Sequence, residues 1–249
     1  MRTSCIVIPC FNEEKRLPLP AFKDFLSDKE NENIYLCFVN DGSSDNTLEI
    51  LTQLSNLFPE RILIVDEKQN MGKAASVFTG INQAIRWKNF NVIGYLDADL
   101  ATPIDEYVRV SSYINDDIVF VFGSRIRRIG SKINRKLYRH LIGRFFATLA
   151  SIILDLPVYD TQCGAKIFTK DIALQVFKTP FISTWSFDVE IFFRFINIVG
   201  KENVEICSKE IPLETWNDVG ESKVKFTYAL KLPFELLRIR NHYKKAFKS

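Results

Sequence analysis

The sequence predicts an α/β fold in which a mostly parallel central sheet carries helices on both faces. The main observation is an alternation: short apolar runs and helical patterns follow one another four times within about the first 100 residues. A second is that these runs end in polar loops, as parallel strands do where they lead into helices. The third is size, because 249 residues with 47% apolar content suffice for one full hydrophobic core.

Apolar spacing and the residues that end each run identify the individual elements. Pro9 ends the first strand, and Pro59 ends a helix marked by leucines at helical spacing. The predicted strands are residues 5–9, 34–39, 62–65, 92–100, 118–122, 167–168 and 204–211. The predicted helices lie near residues 20–26, 48–57, 74–87, 141–154 and from 185 onward, with a basic amphipathic helix from 226 that Pro233 interrupts.

Two carboxylates, Asp97 and Asp99, stand at the end of the apolar run 92–100. Buried carboxylates need a cation, hydrogen bonds or solvent to compensate them. Mg²⁺ and Mn²⁺ prefer carboxylate oxygens and are commonly shared with substrate phosphates. The pattern therefore favours a metal and diphosphate site, with an ordinary turn at the strand end as the alternative.

Polar loops follow four of the predicted strands, at residues 12–14, 40–45, 70–73 and 97–99. In parallel sheets, ligands bind outside the carboxyl ends of the strands. We therefore expect these four loops to meet at one edge of the sheet and to form a single site.

Charge is unevenly distributed along the chain, although the net charge is only +3. Residues 125–144 contain eight Lys and Arg and no acid, and residues 223–249 contain eight more against the single acid Glu235. Such basic segments predict a polyanionic partner, either a membrane surface or a nucleic acid. We divide the chain into a catalytic domain at 1–222, with a basic amphipathic insert at 125–155, and a basic amphipathic tail at 223–249.

The mixture of cationic and apolar residues favours the membrane over nucleic acid. Phe145 and Phe146 follow the basic run instead of alternating with its Lys and Arg residues. No run reaches the 18 to 20 or so apolar residues of a spanning helix, and no signal peptide is expected. Five scattered cysteines indicate a reducing compartment. We expect a cytoplasmic protein, peripheral at the cytoplasmic face of a membrane, with a membrane-protein partner as a further possibility.

Seven motifs in order resemble the family-2 inverting glycosyltransferases, which have the GT-A fold with a Rossmann-like nucleotide-binding half. Within that family they are most similar to the polyprenyl-phosphate sugar transferase branch, which includes the dolichyl-phosphate glucosyltransferases. The resemblance covers about residues 4 to 220. The motifs are Ile8-Pro9-Cys10-Phe11-Asn12-Glu13, the run from Asn40 to Thr47, Asn70-Met71-Gly72-Lys73, Asp97-Ala98-Asp99, Gly123-Ser124-Arg125, Asp160-Thr161-Gln162-Cys163-Gly164 and Trp185-Ser186-Phe187-Asp188-Val189-Glu190.

The resemblance implies roles for individual residues in binding a nucleotide sugar. It implies that Asp97 and Asp99 hold the ribose and a Mg²⁺ or Mn²⁺ ion, with Asp99 as the firmer metal ligand. The residues implied to bind the donor are Pro9, Asn12 and Glu13 in the first nucleotide-binding loop, Asp41 at the nucleobase, and Lys73 and Arg125 at the phosphates. Two positions depart from the family pattern, since Asn40 replaces a second Asp and Ala101 replaces a Gln that joins the metal shell in some relatives.

The implied reaction moves a hexose, expected to be glucose, from a UDP- or GDP-sugar to a polyprenyl or dolichyl phosphate, for glycan or glycoconjugate synthesis. Asp97, Asp99 and Arg125 would stabilise the departing diphosphate. A lipid phosphate is already anionic at pH 7 and needs no general base. A saccharide hydroxyl acceptor would need one, and Asp188 or Glu190 would then supply it. The non-enzymatic alternatives are a regulatory module that binds nucleotide sugars and a basic RNA-binding protein.

Four further residues are candidates for the site. Trp185 and Trp216 either stack on a sugar or pack in the core. Lys223 and Lys225 are expected in a loop that closes over the diphosphate.

Overall fold

The structure is a computed structural model that describes residues 2–134, 137–219 and 226–243. Its strands are β1 (Ser4–Cys10), β2 (Ile34–Asp41), β3 (Ile62–Glu67), β4 (Val92–Tyr95), β5 (Phe120–Ser124), β6 (Lys132–Asn134), β7 (Lys166–Thr169), β8 (Ser208–Pro212) and β9 (Thr215–Asn217). Its helices are α1 (Leu19–Ser27), α2 (Thr47–Leu57), α3 (Lys73–Trp87), α4 (Ile104–Ser111), α5 (Leu137–Leu154), α6 (Lys170–Val176), α7 (Phe187–Val199), α8 (Val204–Cys207) and α9 (Phe226–Tyr243).

Within the described part of the chain, seven strands form one sheet in the order β3-β2-β1-β4-β7-β5-β8. The first four run parallel, β7 runs antiparallel to both β4 and β5, and β8 is parallel to β5. A small parallel pair, β6 and β9, lies apart from it. The mostly parallel sheet with helices on both faces is confirmed.

Successive residues of β1 supply two cores, one on each face of the sheet. Cys5 and Val7 face a core that includes α3, α6 and α7, whereas Ile6 and Ile8 face a core that includes α1, α2 and α4. All four side chains are fully buried. The run of apolar residues without polar alternation is thus explained by burial of the strand on both sides.

The carboxyl ends of β1, β2 and β4 meet at one edge of the sheet, as the sequence predicts. Asn12, after β1, donates its backbone N–H to the Ser43 hydroxyl after β2 (3.0 Å). Met71 and Gly72, before α3, donate backbone N–H groups to the Asp41 carboxylate (2.8 Å each). These bonds join segments about 30 residues apart in the chain and so fix the loops at this edge of the sheet relative to one another. We call this edge, at the carboxyl ends of β1, β2 and β4, the rim.

Three details of the chain differ from the sequence-based expectation. The strand predicted at 92–100 ends at Tyr95, before Asp97 and Asp99. The first half of the predicted strand 204–211 is the short helix α8, in which Val204 is buried and Ile206 is exposed, so the strand begins only at Ser208. Pro233 does not interrupt α9, which continues through it. Leu232 and Leu236, on either side of the proline, are both buried, and this packing holds the two halves in one helix.

Helix α9 belongs to the main core rather than standing apart from it. Leu232, Leu236 and Ile239 are buried with residues of α5 and α7. Within the described ranges, no helix is long and apolar enough to cross a membrane.

Candidate active site

The two acids of the Asp97-Ala98-Asp99 motif lie in the turn that follows β4. The strand ends at Tyr95, and Leu96 still donates its N–H to the Val7 carbonyl of β1 (2.9 Å). The chain then reverses through Leu100, whose φ of 47° is unusual for a residue with a side chain. This turn presents the carboxylates of Asp97 and Asp99 at the rim instead of burying them in the strand.

Asp97 forms an ion pair with Lys73, the first residue of α3, at 2.5 Å. Both side chains remain more than one third exposed. Burial would raise the pKa of Asp97, but Lys73, Arg125 and Lys166 outweigh it and hold the pKa below its usual value. Burial would likewise lower the pKa of Lys73, and Asp97 and Asp188 raise it instead. At neutral pH the site therefore holds a charged pair that incoming ligands can reach.

Asp99 has a different environment from Asp97. Its carboxylate accepts a hydrogen bond from the Ala101 N–H (3.0 Å), and its pKa is raised by burial, by Asp97 and by Glu13. A carboxylate whose charge is disfavoured by burial and by neighbouring acids is stabilised when a cation binds to it.

The residues present therefore fit a divalent cation whose protein ligands are few. No group of three or more His, Cys, Asp or Glu that could hold a metal occurs in the part of the chain that the structure describes. Asp99, aided by Asp97, would hold the ion together with diphosphate oxygens, and Ala101 adds no ligand.

The Asp41 carboxylate shapes the turn before α3. It accepts hydrogen bonds from the Met71 and Gly72 N–H groups and from the Asn70 side chain (3.1 Å). Gly42 lies so close to the Gln69 and Asn70 backbone, with φ at 61°, that a Cβ would overlap it. Asp41 thus supports the loop that carries Lys73.

The loop after β1 is bound to the loop after β2 by side-chain and backbone contacts. Asn12, at φ 52°, accepts a hydrogen bond from the Ser44 N–H (2.9 Å). Glu13 is buried; its N–H donates to the Thr47 hydroxyl (2.8 Å), and its carboxylate pairs with Arg16. Pro9 lies within β1, opposite Val39 of β2. These residues form one wall of the rim.

Arg125, after β5, is held by an acid that the sequence analysis did not pair with it. Its Nε and Nη2 donate to the two carboxylate oxygens of Asp160, at 2.7 and 2.9 Å. The Asp160 and Tyr159 N–H groups in turn donate to Glu210 of β8 (2.8 Å each). Burial would lower the pKa of Arg125, but Asp160 outweighs it and raises the pKa. The bidentate pair fixes the plane of the guanidinium, and the side chain is only 15% exposed.

Asp188, in the first turn of α7, is sealed by two donors on one oxygen. Tyr95 donates its hydroxyl to Asp188 Oδ1 at 2.5 Å, and Lys166 donates from Nζ to the same oxygen at 2.6 Å. Lys166 is 0% exposed, and its Nζ also donates to the Cys163 carbonyl (2.9 Å). Antiparallel pairing of β7 with β4 places Lys166 opposite Tyr95 and so creates this contact.

Comparison with known proteins identifies the family. The sequence model of glycosyl transferase family 2 matches residues 5–177. The chain belongs to glycosyl transferase family 2. The predicted resemblance is thereby confirmed, and with it the assignment as a glycosyltransferase.

Relatives of this family 2 member include proteins named dolichyl-phosphate beta-glucosyltransferase. One from Trichomonas vaginalis is 33% identical, and the match covers 96% of this chain and 71% of the relative. Those from Saccharomyces cerevisiae and Homo sapiens are 30% and 27% identical, with 96% of this chain covered in each and 74% and 75% of the relative.

Solved structures share the fold of this family 2 member at low sequence identity. Glucosyl-3-phosphoglycerate synthase from Mycobacterium tuberculosis, in complex with Mn²⁺ and UDP-glucose, superposes with a TM-score of 0.68 at 14% identity, covering 97% of this chain and 79% of that one. A second structure of that enzyme, with Mn²⁺, UDP and glucosyl-3-phosphoglycerate, gives a TM-score of 0.66. The GT-A fold is therefore confirmed.

Glu190, the second acid considered as a general base, is buried in this family 2 member and bonded to neighbouring protein groups. It is 0% exposed and pairs with Arg194 (2.7 Å). It also accepts hydrogen bonds from the Ile182 and Ser183 N–H groups (3.0 and 3.2 Å) and from the Tyr243 hydroxyl of α9 (2.8 Å). This network leaves Glu190 as an anchor between α7 and α9.

The remaining predicted residues are two tryptophans, one asparagine and two lysines. Trp216 lies on β9 against the second core, with the Arg125 guanidinium 5.6 Å from its ring, and Trp185 packs against the first core. Asn40 donates to the Asp66 carboxylate (2.7 Å). Lys223 and Lys225 lie outside the described residues.

Sequence reasoning missed Lys166, Tyr95 and Asp160 as members of the site. Lys166 stands before a strand and resembles an exposed rim residue, and Tyr95 resembles one more apolar residue of its strand. Their roles arise from the antiparallel insertion of β7, for which the local sequence gives no signal. Only the acid Asp160, inside a recognised motif, carried a signal that could have suggested a partner for Arg125.

Proposed function

We propose that this family 2 member transfers glucose, with inversion, from UDP-glucose to the phosphate of a polyprenyl carrier such as dolichyl phosphate. The similar proteins named dolichyl-phosphate beta-glucosyltransferase support the sugar and the acceptor. Structures of the same fold that are titled as complexes with Mn²⁺ and UDP-glucose support the donor. The product would serve glycan or glycoconjugate synthesis.

The observation that carries this proposal is that the two acids considered as a general base already hold hydrogen bonds or an ion pair within the protein. Asp188 Oδ1 already accepts hydrogen bonds from Tyr95 and Lys166. Glu190 is buried in its pair with Arg194. Because Glu190 is enclosed by its structural contacts and Asp188 Oδ1 is shared by two donors, neither acid is arranged to deprotonate a hydroxyl. A phosphate acceptor requires no deprotonation at neutral pH, which favours the lipid phosphate.

The cations at the rim suit the leaving group. As the bond between glucose C1 and the UDP oxygen breaks, its electron pair stays on the diphosphate, while an acceptor phosphate oxygen forms the new bond to C1. Lys73 reaches the rim from α3, and Arg125 is oriented by Asp160. Its Nη1 makes no hydrogen bond to any described residue, so it can donate to a phosphate oxygen.

A divalent cation held by Asp99 and Asp97 would supply further stabilisation of the diphosphate charge. Asp99 supports this because its carboxylate lies among acids and lacks a cationic side chain at ion-pair distance in the described ranges. The proposed nucleotide contacts of Pro9, Asn12, Glu13 and Asp41 follow from their position on the same rim.

The test supplies UDP-[¹⁴C]glucose and Mn²⁺ to the purified chain with one of three acceptors: polyprenyl phosphate, the same polyprenol without phosphate, or an oligosaccharide. We expect label in the organic phase with polyprenyl phosphate alone. Polyprenol is the matched control, because it differs only in lacking the phosphate group. Label on the polyprenol or only on the oligosaccharide would contradict the proposal, and turnover with no acceptor product would indicate hydrolysis instead.

The proposal includes a position at the cytoplasmic face of a membrane, and an exposed apolar surface on α5 and α9 supports it. On α5, Leu141, Phe145 and Ile152 recur at helical spacing and are 60 to 69% exposed. On α9, Phe234 is 76% exposed, with Arg238 close by in sequence. An apolar stripe with flanking cations suits an anionic lipid surface. All five cysteines are free thiols, in keeping with a reducing compartment.

Sedimentation with vesicles tests this surface. Phe145→Glu should reduce binding to vesicles that contain phosphatidylserine by about tenfold, because it places a charge within the apolar stripe. Leu57→Glu, at another exposed leucine on α2, is the control and should leave binding unchanged. Equal losses in both variants would contradict the assignment. Failure of the unaltered chain to bind vesicles would favour a membrane-protein partner on this surface.

A further inference from the structure

Lys166 is a fully buried lysine beneath the candidate active site. It begins β7 and stands opposite Tyr95 of β4 on one side and Phe122 of β5 on the other. Its Nζ has two acceptors, the Asp188 carboxylate (2.6 Å) and the Cys163 carbonyl (2.9 Å). Because a buried ammonium is costly without partners, these two contacts determine where the side chain lies.

The Cys163 carbonyl belongs to the turn that touches Asp97. Gly164 follows Cys163 directly, and a Cβ on Gly164 would overlap the Asp97 carboxylate. The backbone of this turn therefore forms the wall against which Asp97 rests. Lys166 holds that wall from below through Cys163 and holds the start of α7 through Asp188.

We propose that Lys166 is a positioning residue for the transfer reaction: by fixing the turn at Cys163 and Gly164, it sets the location of the Asp97 carboxylate at the diphosphate and metal site. The proposal rests on the proposed function, since it assigns Asp97 to that site. Because its side chain is 0% exposed, Lys166 itself would reach neither the donor nor the acceptor. Loss of its contacts would let the turn move away from Asp97 and would weaken ligand binding.

The test compares Lys166→Met with Lys170→Met in the full chain. Lys170 is a suitable control because it begins α6, directly after the far end of β7, and its Nζ donates to Asn89 at the surface (2.6 Å). Binding of Mn²⁺ in the presence of UDP is measured by electron paramagnetic resonance, together with the thermal midpoint. We expect about 10- to 100-fold weaker Mn²⁺ binding for Lys166→Met and less than about twofold change for Lys170→Met.

A double variant separates two roles of Lys166: holding the turn at Cys163 and neutralising the charge of Asp188. Lys166→Met combined with Asp188→Asn removes both charges, so it should regain most of the thermal midpoint even if Lys166→Met folds poorly. It should keep the weakened Mn²⁺ affinity, because a methionine side chain cannot donate a hydrogen bond to the Cys163 carbonyl. Full recovery of affinity in the double variant would overturn the proposal, as would wild-type affinity in Lys166→Met.

Gly164→Ala tests the same turn at its contact with Asp97. Its Cβ should displace Asp97 and weaken Mn²⁺ binding in the presence of UDP. Since both changes act through one turn, the loss in Gly164→Ala with Lys166→Met should be smaller than the sum of the single losses. Additive losses would overturn the proposal. If the unaltered chain binds Mn²⁺ and UDP but glucosylates no lipid phosphate, the proposed function fails while the positioning role stands; if it binds neither, both fail.

Discussion

Two lysine and aspartate pairs lie close to Tyr95 and differ mainly in their access to water. Lys73 and Asp97 are 2.5 Å apart, and their side chains are 36% and 38% exposed. Lys166 and Asp188 are 2.6 Å apart, and theirs are 0% and 9% exposed. The two ammonium groups lie 5.8 and 5.5 Å from the centre of the Tyr95 ring. The same chemical pair thus occurs once at the surface of the site and once beneath it.

Burial decides what each of these charged pairs can do. A pair open to solvent has a small net free energy of association, so either partner can exchange for a ligand. A sealed pair cannot separate without leaving a charge in the protein interior. We therefore assign ligand binding to Lys73 and Asp97 and a framework role to Lys166 and Asp188.

The largest expected effect comes from breaking the sealed pair on its acidic side. Asp188→Asn leaves the Lys166 ammonium buried and unpaired, and should lower the free energy of unfolding by about 3–5 kcal/mol. The matched change in the open pair, Asp97→Asn, should lower it by at most about 1 kcal/mol. Urea unfolding at pH 7 measures both. Equal losses would show that the two pairs do not differ in the way proposed.

The next effect concerns ligand affinity, for which the open pair matters more than the sealed pair. Lys73→Met removes a cation at the rim and should weaken binding of UDP-glucose with Mn²⁺ by about 10- to 100-fold, while the free energy of unfolding changes by less than about 1 kcal/mol. Isothermal titration calorimetry gives the affinity. Lys68→Met, at an exposed lysine nearby in sequence, should leave both quantities unchanged. Wild-type affinity in Lys73→Met would remove Lys73 from the donor site.

The smallest effect concerns a third pair, Glu190 and Arg194, which is sealed within α7. Tyr243→Phe removes a hydroxyl that donates to Glu190 and accepts from Arg194, and should cost about 1 kcal/mol of unfolding free energy. Tyr113→Phe, at an exposed tyrosine, is the control and should be neutral within about 0.5 kcal/mol. UDP-glucose affinity should stay unchanged in both. A loss of affinity in Tyr243→Phe would mean that α9 acts on the donor site.

Local sequence patterns are sufficient to locate the parallel half of the sheet and the rim at the carboxyl ends of its strands. Buried β-branched runs and helical spacing are local patterns, so β1 to β4 and α1 to α3 could be located from them. The polar loops at Asn12, Asp41, Lys73 and Asp97 could be placed together, because parallel strands bring their carboxyl ends to one edge. The ordered motifs then indicated the family.

Which charges are paired and which are open to solvent depends on long-range contacts. Lys166 meets Asp188 because β7 enters the sheet antiparallel between β4 and β5, a pairing across more than 40 residues of chain. Asp160 meets Arg125 across 35 residues. Helix α9 continues through Pro233 because its buried leucines pack on α5 and α7. Burial and long-range register set these contacts, and neither is encoded in the local spacing of residues.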